Sequence, residues 1–466
     1  MTILTPSRFP VHPGGFAAHE ERQFSSSLFQ TMARFLLLAT LCSAPWAFGA
    51  VQAWAWGTLL VLSLLTLVLW ALGCAYRGVV KITWSPLYWP FLAFLLLAVV
   101  QLAAGLNADH VATREAVLKI VTDALFFFLT GQLLNAQPEN DRALGWFGPI
   151  VSLLALALCL EGLAQTFLGG DLRVIYWTFR VSGAAFGPYV NHNNYAGLME
   201  MLLPISVAYI LSRFWNPLFL FLSWCGVGLA ITSIWLSGSR GATIVLLIEA
   251  LLWAGILMWN RPRVVSPRLL AVVFCVLLIS GLAFFWLVST GRAGGRAWSV
   301  FETNRSLEVT LGDRFGVGLD TLRMARSHPW IGVGVGCFES VFPNYLTFVM
   351  DRHWAHAHND ILEALAETGL PGFILIVISL VTFFRAAFRD IKRRLRYEWD
   401  WIQLGAAIGV VGLLAHSFVD FNLRVPANAA WFVVCLAIAT YAQHVRESHR
   451  RIDRIPAVDR DGEFQV

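Results

Sequence analysis

Residues 353–372 read "HWAHAHNDILEALAETGLPG" and set His353, His356 and His358 just ahead of Asp360, Glu363 and Glu367. Side chains of these types can hold a metal ion, move a proton, or do no more than cap a helix. Asn359 is a good cap, and a helix from Asp360 puts Asp360, Glu363 and Glu367 on one stripe, away from Ile361, Leu362 and Leu365. Gly369 should end that helix and Pro371 start the next. Amphipathicity therefore accounts for the acids but not for His358. That histidine precedes the cap, at the positive end of a helix dipole, a position that suits a neutral imidazole. A neutral imidazole is the form a general base needs. A zinc site would recruit His353, His356 and His358 with Asp351 or Asp360, but the step from His356 to His358 turns the two rings apart. We expect no metal and no other cofactor.

Three arginines suggest a second kind of chemistry. Arg240 lies in "SGSRGATIVLL", Arg314 opens "DRFGVGLDTLRMARSHP", and Arg180 precedes "NHNN" (191–194). A guanidinium matches phosphate oxygens bidentately, and the small residues around Arg240 would let a ligand approach the backbone. These features fit a pyrophosphate site. The plainer reading is that each arginine snorkels to headgroups or pairs with a loop carboxylate. "GVGVG" (332–336) lacks the spacing of a nucleotide fingerprint and reads as a loop. His416 and Asp420, four apart, are expected to pair with each other in support of the site.

The elements that must carry these residues are apolar. The chain has 466 residues, of which 57% are hydrophobic and 14% charged, with mean hydropathy +0.64. Soluble domains carry about 25% charged residues. The pattern predicts an all-α polytopic membrane protein of about twelve spans, at roughly 32–50, 54–75, 87–105, 116–134, 145–168, 193–212, 217–236, 241–259, 269–289, 369–388, 402–419 and 427–444. Five regions follow: an N-terminal tail (1–31), nine spans (32–289), a long helical loop (290–368), three spans (369–444) and a C-terminal tail (445–466). Arg77, Lys81, Arg213, Arg261, Arg263, Arg268 and "RAAFRDIKRRLR" (385–396) fall on one side with both tails, which makes that side cytoplasmic. In the long loop, Asp313 is expected to cap a helix whose apolar face is Phe315, Leu319 and Leu322, ending before Pro329. The net charge of +5 comes without a dense basic run, so nucleic acid is not an expected partner. The seven cysteines are scattered with no CxxC pair.

The motifs together resemble the O-antigen ligase and polymerase superfamily of bacterial surface polysaccharide assembly. The match lies in His358-Asn359 followed by Gly369 and Gly372, in "SRGA" (239–242), "RVSGAAFGPYVNHNNYAG" (180–197), "HPWIGVGVGCF" (328–338) and "HSFVDF" (416–421). The resemblance implies an inner-membrane, metal-independent glycosyltransferase with its site facing the periplasm. Its donor would be a glycan on undecaprenyl pyrophosphate. A ligase moves that glycan, with inversion, to a lipid A-core sugar; a polymerase moves it to another lipid-linked repeat. The family's essential groups would correspond to His358, Arg240 and Arg314. Arg180, Asn191, Asn194, Asn359 and His356 are the expected substrate contacts. The competing reading of another class is a transporter or flippase of lipid-linked glycans, for which an internal repeat and paired broken helices would be expected.

Overall fold

The computed structural model describes residues 13–134, 142–168, 185–212, 217–260, 305–347, 354–389, 395 and 398–441. The expected ninth span, Arg180 and His353 lie outside them. The described residues are helical, apart from one isolated bridge between Phe186 and Tyr189. The long helices are α1 (Pro13–Ser43), α2 (Ala53–Arg77), α3 (Tyr88–Ala103), α4 (His110–Leu133), α5 (Arg142–Leu168), α6 (His192–Leu211), α7 (Pro217–Ser237), α8 (Arg240–Asn260), α9 (Arg305–Ser327), α10 (Asp360–Phe388), α11 (Glu398–His416) and α12 (Pro426–Tyr441).

Eight of these contain a segment long and apolar enough to cross a membrane. α3 and α12 are apolar but only 16 residues long, and α11 opens with Glu398 and Asp400. Both ends of α1 differ from expectation. α1 begins at Pro13, well inside the expected tail, and stops at Ser43. There Pro45 and Gly49 (φ +70°) break the chain into two short turns.

α6 forms the centre of the bundle, with nearly every residue from Asn194 to Leu211 buried. α11 packs along it through Gly405 and Gly409. A Cβ on Gly405 would lie 2.7 Å from the Pro204 carbonyl oxygen, and one on Gly409 would lie 2.9 Å from Met201 Cα. Small residues at such crossings let the backbones touch, which is how helices gain packing energy where lipid removes the hydrophobic drive.

A second, smaller core sits beside the bundle. It joins Val317, Met324 and Ala325 of α9 to Val333, Phe338, Phe342, Ala357 and Ala366. α9 begins at Arg305 rather than at Asp313, and its inward face is Val317, Asp320, Thr321 and Met324. Of the expected apolar face, Phe315 (71% exposed) and Leu319 (43% exposed) point outward instead and Leu322 is half-buried. Buried Asp320 explains the choice. It accepts from the Thr347 amide at 2.9 Å and pairs with Arg323, tying α9 to the segment that follows it. The helix stops at Ser327, before Pro329, as the sequence indicates.

α10 is two helices joined at Gly369, whose φ of +64° and ψ of −166° are not helical. A Cβ there would be 2.7 Å from Trp330 C, so both the sign of φ and the close approach call for glycine. The Leu370 amide donates to the Pro329 carbonyl at 2.8 Å, which fixes the break against the end of α9.

Candidate functional site

Asn359 caps α10 as expected, accepting from the amides of Ile361 (3.1 Å) and Leu362 (3.0 Å). Its Nδ2 donates to the Phe418 carbonyl at 3.0 Å, and the Asp360 amide donates to the Ser417 carbonyl at 2.9 Å. Two distant motifs, 358–360 and 416–421, are laced together in this way. His358 adopts φ +51°, a left-handed conformation that costs an L-residue about 1–2 kcal/mol. That local strain marks the residue as positioned by its surroundings.

The surroundings centre on Asp420. His358 Nδ1 lies 3.2 Å from Asp420 Oδ1, which also accepts from the Phe421 amide at 2.9 Å. Asn193 Nδ2 donates to Oδ2 at 2.5 Å, and Arg314 Nη2 stands 3.9 Å from the same oxygen. Arg314 Nη1 donates to the Val419 carbonyl at 2.9 Å. Burial alone would raise the Asp420 carboxyl, but the His358 hydrogen bond and the charges of His358, His416 and Arg314 outweigh it. They hold Asp420 well below the usual carboxylate range. An ionised Asp420 can only accept, so the Nδ1 of His358 that faces it carries hydrogen, and Nε2 is the nitrogen that holds the lone pair whenever the ring is neutral. Asp420 is 1% exposed, whereas the His358 and Arg314 side chains are 21% and 30% exposed. The dyad therefore has a buried carboxylate and an accessible imidazole, with a guanidinium alongside.

The acids of α10 are not a solvated stripe. Asp360, Glu363 and Glu367 are all buried. Arg424 reaches between two of them, with Nε 3.1 Å from Glu363 Oε1 and Nη1 2.7 Å from Glu367 Oε2. Burial would lower the guanidinium, yet Glu363, Glu367 and Asp360 push it above its ordinary value. His356 Nδ1 sits 3.0 Å from Glu363 Oε1, and its ring stacks on Phe421 at 4.5 Å between centroids. His356 and His358 thus hold different carboxylates. The expected pairing of His416 with Asp420 does not form between side chains. His416 Nδ1 turns into the bundle to Glu200 at 2.8 Å, because the α11–α6 crossing brings that buried carboxylate to it, and Asp420 is left for His358.

A cavity of about 1010 Å³ runs from this cluster into the bundle. Asn191, Asn193, Asn194, Arg314, His356 and His358 are among its polar lining residues, and Phe91, Phe94, Phe383 and Leu436 among its apolar ones. Asn191 caps α6 by accepting from the Asn193 amide at 2.9 Å. Asn194 is buried, and its Oδ1 has no hydrogen-bond partner among the described residues. Asn359 contributes through its cap and the Phe418 bond; it does not line the cavity. Arg240 opens α8 beside the site without lining the cavity. Its neighbour Gly241 packs so closely that a Cβ would lie 2.8 Å from His416 Nε2 and 3.2 Å from Val419 Cγ2. Sequence reasoning missed the parts played by Asp420, Asn193 and Arg424. The quoted "HSFVDF" and "NHNN" held two of them, but nothing local shows which residue turns toward which.

Two comparisons bear on this arrangement. A family model described as O-antigen ligase matches residues 225–377. The exopolysaccharide production protein ExoQ of Rhizobium meliloti (strain 1021) is 29% identical over 136 residues, covering 27% of this chain and 30% of that protein. The match thus spans under a third of either protein. Asp420 lies beyond the family match, whereas Arg240, Arg314, His358 and Asn359 lie within it. Residues 225–377, which hold His358, Arg240 and Arg314, are thus similar to the O-antigen ligase family.

Proposed function

We propose that the chain transfers a glycan from undecaprenyl pyrophosphate to an acceptor hydroxyl at the periplasmic face of the inner membrane. The supporting observation is that Asp420 draws His358 and Arg314 together beside a cavity lined by polar groups and by apolar rings. Nε2 of His358 takes the acceptor proton, and the freed oxygen attacks the anomeric carbon from the face opposite the diphosphate. The C–O bond to the diphosphate breaks, its electron pair leaves with the diphosphate, and the anomeric configuration inverts. Arg314 meets the growing negative charge, and Arg240 is the second cation of the family pattern. One preorganised donor of this kind contributes about 3 kcal/mol to lowering such a barrier. A positioned base contributes about 10² to 10⁴ in rate. The small core around α9 would cover the glycan and help keep water from the donor. A transporter of lipid-linked glycans would have no use for an oriented base.

The partial family match supports the ligase reading, in which the acceptor is a lipid A-core sugar. A polymerase reading has its own support, since the matched relative is named for exopolysaccharide production. Deleting the gene in its host tests both. Lost lipopolysaccharide ladders with accumulated lipid-linked polymer would mean a ligase. Single-repeat caps, or lost exopolysaccharide with normal lipopolysaccharide, would mean a polymerase. Lost polymers with single lipid-linked repeats held on the cytoplasmic face would overturn transfer in favour of transport.

A further inference from the structure

Lys119 and Asp123 lie on α4 in a segment apolar enough to cross a membrane, and both line the cavity. An ionisable group in such a segment normally faces a partner or a ligand. Lys119 Nζ stands 5.4 Å from the ring centroid of Trp56, in the first turn of α2. Among the described residues no carboxylate oxygen comes within 4.0 Å of that ammonium. Glu115 and Asp123 lie one turn to either side of it on α4, both beyond that distance.

The other cations near the cavity are engaged differently. Arg424 is clamped by Glu363 and Glu367, and Arg314 is tied to the Val419 carbonyl beside Asp420. Arg240 does not line the cavity. A diphosphate carries more charge than Arg314 alone would neutralise. Lys119 follows the start of α4 by nine residues, about 14 Å along the helix. Trp56 beside it is the residue type that marks headgroup level. Phe91, Phe94 and Phe383 line the same cavity and offer apolar rings to a prenyl tail.

We infer that Lys119, backed by Trp56, binds the diphosphate of a polyprenyl-linked substrate from the α4 wall of the cavity, while Arg314 reaches it from α9. This rests on the transferase reading for the identity of the lipid, but its test is separate. The full-length protein in phosphatidylcholine nanodiscs is titrated with undecaprenyl pyrophosphate and with uncharged undecaprenol. Lys119→Met should weaken diphosphate binding at least tenfold and leave undecaprenol binding within threefold. Lys119→Arg should restore the diphosphate. Equal diphosphate affinity in wild type and Lys119→Met, or parallel loss of both ligands, would overturn the assignment. So would wild-type affinity for phosphatidylglycerol as high as for the diphosphate, which would hand the ammonium to ordinary headgroups. If the diphosphate binds through Lys119 but no glycan is ever transferred, the binding site stands and the transferase reading falls.

Discussion

At the residue scale the account depends on which nitrogen of His358 carries hydrogen. Asp420 fixes that choice from 62 positions away in sequence, through a 3.2 Å contact. Asp420→Asn can donate to Nδ1, so the tautomer can flip and Nε2 loses its lone pair. Transfer is expected to fall by about 10² to 10⁴, with donor affinity little changed, by initial rates and direct titration. The same substitution has a pH signature. The folded carboxyl lies below its ordinary value, so its bonds add stability that is complete above about pH 5 and fades as pH falls through and below about 4. The melting-temperature gap between wild type and Asp420→Asn should narrow on that acid side; a constant gap would refute the ionised, paired state. Little of this was visible in the sequence. His358 stood out because it sits before a helix cap, a local signal. Asp420 did not, because its partner is chosen by the packing of α10 against the 416–421 loop, and the nearer His416 looked equally suitable.

At the scale of elements, local chemistry was readable and facing was not. The Asn359 cap, the Gly369 break and the stop before Pro329 follow from backbone preferences of single residues, and each is present. The face that α9 turns inward, and the burial of Asp360, Glu363 and Glu367, depend on what packs against them. Periodicity shows that a helix has two faces; the neighbour decides which is covered. Arg424 settles the matter for α10. Removing it by Arg424→Ala would leave Glu363 and Glu367 buried without a counter-charge, a loss of about 3 kcal/mol given that the guanidinium is partly exposed. Thermal unfolding in detergent should show a clear drop, and Glu363→Gln with Glu367→Gln in the same chain should recover part of it. No recovery would mean that Arg424 acts through packing instead of charge.

At the scale of the whole molecule, composition specified an all-helical membrane-type chain, and eight described helices meet that description. The sidedness rests on arginine and lysine placement and is testable. Phe315 on α9 is 71% exposed, so Phe315→Cys should react with a membrane-impermeant maleimide on intact spheroplasts, above the background of the native cysteines. Labelling only after lysis would put the site on the cytoplasmic side. The proposed transfer chemistry rests on the gathering of α6, α9, α10 and the 416–421 loop around one polar cluster. The most direct test is single-turnover transfer by purified protein from a saturating lipid-linked glycan to an acceptor, comparing wild type with His358→Ala. The account predicts wild-type transfer and a loss of about 10² to 10⁴ in the variant, with the donor still bound. Transfer by His358→Ala at the wild-type rate would contradict it.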